Sequence, residues 1–294
     1  MSRRNLINAV LALALSALTP VGAVAQSFTS DRITVTTVGQ GSDVILIPGL
    51  DFSPRVWAGL VKAVPGHRYH LVQISGFAGQ PRGGNTEGPV ASPVAEEIAR
   101  YIAAARLTKP AVIGHSMGGS IGIMVAARHP RAISKLMVVD IPPFVGAMFG
   151  PPGATPESIK QAADAIVAPM LTTDSIARRQ QVEAAVTGMI NNVAMRPVAI
   201  EDLLKSDQDV TARAFREVIV TDLGPELSKI VVPTTVLYVT PKGGQLTDAQ
   251  IDAFYKAAYA PLSGVVVKRV PESAHVIMWD QPERFQSEVI AFLR

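Results

Sequence analysis

Residues Gly114-His115-Ser116-Met117-Gly118-Gly119 set one hydroxyl among small residues, and the glycines stand two before and two after Ser116. That spacing is what a nucleophile on a tight turn requires, because a Cβ at either glycine would collide with neighbouring chain. The flanking residues supply the context that a short motif needs. Ala111-Val112-Ile113 is an apolar run of strand type, and residues 120–127 are small and apolar at helical spacing up to Arg128-His129-Pro130, where the proline stops a helix. A serine held there suits covalent acyl transfer, provided that a neighbour takes its proton as the bond forms. Five histidines (His67, His70, His115, His129 and His275) compete for that task, and no cysteine offers a rival nucleophile.

The elements that must hold these groups alternate along the chain. Residues 33–36 alternate apolar and polar, as an outer antiparallel strand does, whereas residues 44–47, 70–74, 111–113 and 135–140 read as buried parallel strands. Helical spacing appears over residues 54–64 and 94–106, and two more strands over 235–240 and 265–270 precede a closing helix over 282–293. This alternation predicts an α/β fold, a mostly parallel twisted sheet with helices on both faces. Between Pro142 and Pro233 the pattern is helical throughout, broken by Pro151-Pro152-Gly153, Pro169, Pro197 and Gly224-Pro225. It predicts an inserted helical cap over residues 142–232, with the core on either side at 26–141 and 233–294. For the cap methionines Met148, Met170, Met189 and Met195 helix packing is the commoner fate, and an adaptable pocket lining is the alternative.

At the start of the chain, Arg3 and Arg4 precede an apolar stretch over residues 6–18, and Ala23-Val24-Ala25 offers small residues for cleavage. This is the pattern of a secretory signal peptide over residues 1–25. The stretch falls short of the ~20 residues that cross a bilayer, so no stable membrane insertion is expected once it is removed. The mature chain from Gln26 is expected in the periplasm or outside the cell. Loss of Arg3 and Arg4 lowers the formal charge from +3 to +1, which gives no basis for a nucleic-acid partner. With no cysteine there is no disulfide and none of the usual structural zinc sites, and the 48% hydrophobic fraction must supply stability by burial. Neither H-E-x-x-H nor a phosphate loop is present, and no metal or organic cofactor is expected. Gly76-Phe77-Ala78-Gly79 with Gly83-Gly84 lacks the lysine of a phosphate loop and reads as an entrance turn.

Taken together, the Gly114 to Gly119 motif, Leu46-Ile47-Pro48-Gly49-Leu50 after an early strand, Ala274-His275-Val276 and Trp279-Asp280-Gln281-Pro282-Glu283 resemble the α/β-hydrolase superfamily, over essentially all of the mature chain. The similarity is to its cap-bearing serine esterases and lipases. It implies that His275, in a loop after the last strand, is the base. For the acid the resemblance offers two positions. After the strand that follows the cap the chain reads Pro241-Lys242-Gly243-Gly244, and the next carboxylate, Asp248, is explained by a Thr247-x-x-Gln250 capping box. Asp140 ends a buried strand, where a carboxylate needs a partner such as His275, and matches the position used by some esterases. Asp140 is therefore the expected acid and Asp248 its rival.

The resemblance also implies an oxyanion hole built from the backbone N–H groups of Met117 and Leu50, with Asp51 as the fallback for the second. The expected reaction is attack by Ser116 on a small-molecule ester, proton transfer through His275, orientation of the imidazole by Asp140, and hydrolysis of the acyl-enzyme. Relatives that open alkyl halides or epoxides need an aspartate where this chain has Ser116. Cleavage of carbon-carbon bonds, lactones or amides on the same residues is the alternative, as is a weakly catalytic ligand-binding protein.

Overall fold

The apolar runs pair side by side in one sheet. A computed structural model describes residues 28–151, 153–241 and 246–294, and the expected signal peptide lies outside them. Among the described residues the strands are β1 (Ile33–Gly39), β2 (Ser42–Ile47), β3 (His67–Ile74), β4 (Ala111–His115), β5 (Lys135–Val139), β6 (Thr234–Tyr238) and β7 (Val266–Arg269). They lie in the order β1-β3-β2-β4-β5-β6-β7, with β1 antiparallel to β3 and every other pair parallel. Period-two alternation splits each central strand between two cores: Ile45, Ile47, Val112, Leu136 and Val138 face one, while Val44, Leu46, Ile113, Met137 and Val139 face the other.

Helices cover both faces. In chain order they are α1 (Ala58–Ala63), α2 (Ala91–Ala104), α3 (Met117–Arg128), α4 (Pro156–Thr172), α5 (Ser175–Met189), α6 (Arg196–Lys205), α7 (Gln208–Val220), α8 (Asp248–Ala258), the single turn α9 (Ile277–Asp280) and α10 (Pro282–Leu293). Ile98 of α2, Ile121 of α3 and Ile251 of α8 pack in the first core, and Leu60 of α1, Trp279 of α9 and Phe285 of α10 in the second. None of these helices is long and apolar enough to cross a membrane.

Helices α4 to α7 are inserted between β5 and β6 and are fastened to the sheet domain by buried and half-buried polar contacts. Glu217 of α7 accepts the N–H groups of Val90, Ala91 and Ser92 (2.5, 2.7 and 2.8 Å), supplying the cap and the negative charge that the start of α2 lacks locally. Asp202 of α6 accepts both the N–H and the hydroxyl of Ser53 (3.0 and 2.6 Å) and pairs with Arg55. The glycine segment after β3 belongs to the same joint: Gly76 O accepts Asp207 N–H (2.8 Å), and Ala78 N–H donates to Ser206 Oγ (2.8 Å). None of its residues lines the main cavity.

Candidate active site

Strand β4 delivers Ser116 with φ 52° and ψ −125°, a conformation unfavourable for any residue with a side chain. The surrounding contacts hold it there. Ser116 N–H donates to Val139 O (2.8 Å), so the turn is tied to the end of the neighbouring strand. A Cβ on Gly114 would lie 2.0 Å from Gly118 O, and one on Gly118 would lie 2.3 Å from Ile47 O, which is why both positions must be glycine. Met117 then opens α3, and as a first-turn residue its N–H has no acceptor within the helix.

One strand over, Asp140 follows β5 with φ 56° and is 7% exposed. Its N–H donates to Leu237 O (2.7 Å), and its Oδ1 accepts Val239 N–H (3.0 Å) and the Tyr255 hydroxyl (3.4 Å). The other oxygen, Oδ2, accepts His275 Nδ1–H at 2.6 Å. In the neutral imidazole that bond places the proton on Nδ1, so that Nε2 is the acceptor nitrogen. Burial, and after it the Asp140 charge, push the Tyr255 phenol well above its ordinary range, so it remains a donor.

The His275 loop is held from three sides. His115 Nε2–H donates to the His275 carbonyl (3.0 Å), and Val276 N–H donates to Met189 O at the end of α5 (3.2 Å). Asp280 accepts Ala274 N–H (2.8 Å) on one oxygen and the N–H groups of Asn191 and Asn192 (2.8 and 2.9 Å) on the other. Burial, then the nearby His275 ring, hold the His115 pKa well below its ordinary value, so His115 serves as a neutral donor. Sequence reading set His115 aside and assigned nothing to Asp280. The His275 carbonyl lies 160 residues from His115, and Asn191 and Asn192 lie 89 and 88 residues from Asp280, so these contacts leave no local signal.

Ser116, His275, Asp140, Leu50, Met117 and Asp51 all border one cavity of about 580 Å³ between the sheet domain and the inserted helices. Among the described residues Ser116 Oγ shares the cavity wall with His275 without closing a hydrogen bond to its ring. Met148, Met170 and Met189 line it with Val182, Phe215 and Val218, while Met195 is half-buried against the second core; the pocket alternative thus holds for three of the four methionines, of which Met189 also packs against that core. Asp248 lies elsewhere. It is exposed, follows the Thr247 cap of α8, and accepts the Thr240 hydroxyl (2.7 Å) and Arg269 Nη1–H (2.6 Å). Of the other histidines, His70 bridges Tyr101 and Asp43, His129 pairs with Glu96, and His67 begins β3, all away from the cavity.

The sequence pattern of the alpha/beta hydrolase family matches residues 44–287. The chain belongs to that family. Among its curated relatives, the pimeloyl-(acyl-carrier protein) methyl ester esterase of Pectobacterium carotovorum is 23% identical over 87% of this chain and 96% of its own length. The enzyme of that name from Aeromonas hydrophila is 31% identical over 42% of this chain and 48% of its own. Among solved structures, the enol-lactonase from Burkholderia xenovorans superposes with a TM-score of 0.72 at 17% identity, covering 89% of this chain and 96% of that one. That likeness is one of fold, and the alpha/beta hydrolase sheet carries both chemistries.

Proposed function

We propose that this alpha/beta hydrolase cleaves carboxylic esters through an acyl-enzyme on Ser116, with His275 as general base and Asp140 as its orienting acid. The observation that carries the reading is the 2.6 Å bond from His275 Nδ1–H to Asp140 at the wall of the cavity that Ser116 shares. With Nδ1 committed, Nε2 accepts the Ser116 proton during attack on the ester carbonyl and returns it to the leaving alcohol. Negative charge then grows on the former carbonyl oxygen, where the N–H of Met117 and that of Leu50 stabilise it without reorganising; Asp51 N–H is the fallback for the second. Water, deprotonated by the same imidazole, releases the acid. The apolar lining suits an acyl chain, and full-length relatives are named for a methyl ester.

The helical insertion, residues 142–232 in this reading, acts as the cap that excludes water from the acyl-enzyme. We also infer export with cleavage after Ala25, which predicts a periplasmic or secreted product whose intact mass begins at Gln26. The test of function is a panel of p-nitrophenyl esters from acetate to long chains, run with lactones and a vinylogous diketone. Short or medium esters are expected to be cleaved, Ser116→Ala to lose on the order of 10^6-fold in kcat, and a fluorophosphonate to label the wild type alone. Activity retained in Ser116→Ala would overturn the mechanism. Turnover of the diketone without any ester would move the chain to carbon-carbon hydrolysis.

A further inference from the structure

Besides the Asp140–His275 pair, two charged side chains line the mostly apolar cavity, Asp51 and Arg178, together with the uncharged polar Ser116, Gln181, Gln208 and Thr211. Asp51 sits in the turn closed by Phe52 N–H on Gly49 O (3.2 Å), with φ 65°, and is 6% exposed. Its backbone carbonyl accepts the Ser206 hydroxyl (3.4 Å), and its Oδ1 accepts the Thr211 hydroxyl (2.6 Å). Oδ2 accepts no hydrogen bond among the described residues, and Asp51 is one of the residues that border the cavity. Arg178 is anchored by Nη2, which donates to Leu203 O and Ser206 O (3.0 and 2.6 Å) at the end of α6. Its remaining N–H groups have no acceptor among the described residues.

A fixed acceptor and a fixed donor at the edge of an acyl pocket make little sense for plain hydrocarbon, which would strip both of water and return nothing. A carboxylate would be repelled by Asp51 in its ionised form, and an ammonium would face Arg178. A hydroxyl satisfies both, donating to Oδ2 and accepting from the guanidinium. We propose that Asp51 and Arg178 form a specificity subsite for a hydroxyl on the substrate chain, so that the preferred esters are hydroxyl-bearing. Burial, partly opposed by the Thr211 hydrogen bond, the nearby Ser206 hydroxyl and the Arg178 charge, pushes the Asp51 carboxyl up to about 7. Near neutrality the subsite therefore holds both carboxyl forms, and a hydroxyl can donate to one and accept from the other.

The inference rests on the ester-hydrolase reading, and one experiment separates the two. Wild type is assayed on p-nitrophenyl hexanoate, on hexanoates with one hydroxyl at carbon 2, 3 or 6, and on the matching methoxy esters. One hydroxy ester is expected to exceed hexanoate in kcat/KM by about tenfold or more, and its methoxy analogue to lose that gain. Asp51→Ala and Arg178→Met, on different elements, should each bring the ratio close to one. Ser116-dependent hydrolysis of hexanoate with no gain for any hydroxy ester would overturn the subsite and leave the hydrolase reading standing. A wild type inactive on every ester would overturn both.

Discussion

Asp51 and Asp140 are one residue type in nearly one setting, yet the molecule treats them differently. Each follows a parallel strand, each has a positive φ (65° and 56°), each is almost fully buried (6% and 7% exposed), and each borders the cavity. The Asp140 carboxyl accepts three hydrogen bonds, all from the sheet domain: Val239 N–H, His275 Nδ1–H and the Tyr255 hydroxyl. The Asp51 side chain accepts one, from Thr211 on an inserted helix. Donors fixed by the sheet domain suit the proposed role of Asp140, which is to orient His275 in the same way in every turnover. A carboxyl short of donors is left to respond to whatever enters the cavity.

The strongest way to break this contrast is to remove the charge at each position in turn. Asp140→Asn is expected to lower kcat on the best ester on the order of 10^4-fold, since the amide no longer secures the tautomer that leaves Nε2 free. Equal losses in Asp140→Asn and Asp51→Asn would show that the two carboxyls share one task.

A second test uses stability against pH. Because the folded pKa of Asp51 is raised from 3.8 to about 7, the native state holds more protons than the unfolded state between those values. Stability therefore falls as pH rises through that window and stays lowered above it, by at most about 4 kcal/mol at 1.36 kcal/mol per unit. Asp51→Asn, which keeps an acceptor for Thr211, should raise the unfolding free energy by about 1–3 kcal/mol at pH 8.5 and by much less at pH 4.5. Denaturation midpoints at the two pH values measure it, and a gain independent of pH would refute the burial argument.

The contrast also marks what the sequence could convey. The elbow was legible because its requirements are local: two glycines, an apolar run before and a small-residue helix after. Asp140 was legible because a carboxylate at the end of a buried strand demands a partner. Asp51 was read only as a backbone donor, since the residue that holds its side chain lies 160 positions away in the insertion. Strand edges suffered likewise: β3 starts at His67 rather than at residue 70 because pairing with Ser42, Asp43 and Val44 extends it through His67, Arg68 and Tyr69, of which the first two are polar and carry no burial signal.

Smaller effects sharpen the picture of what keeps Asp140 in place. Tyr255→Phe removes its longest hydrogen bond, at 3.4 Å, and should cost about 1 kcal/mol of stability and less than tenfold in kcat. Asp248→Asn is the smallest change and the most discriminating. Its carboxylate is exposed and meets Thr240 and Arg269 rather than the imidazole, so losing the charge removes one surface ion pair worth about 0.5 kcal/mol and a favourable charge in the first turn of α8. Ester turnover should stay within about twofold of wild type. A loss in Asp248→Asn comparable to that in Asp140→Asn would mean that α8 and the segment before it rearrange to carry this carboxylate to His275 during turnover, and the acid would then have to be reassigned.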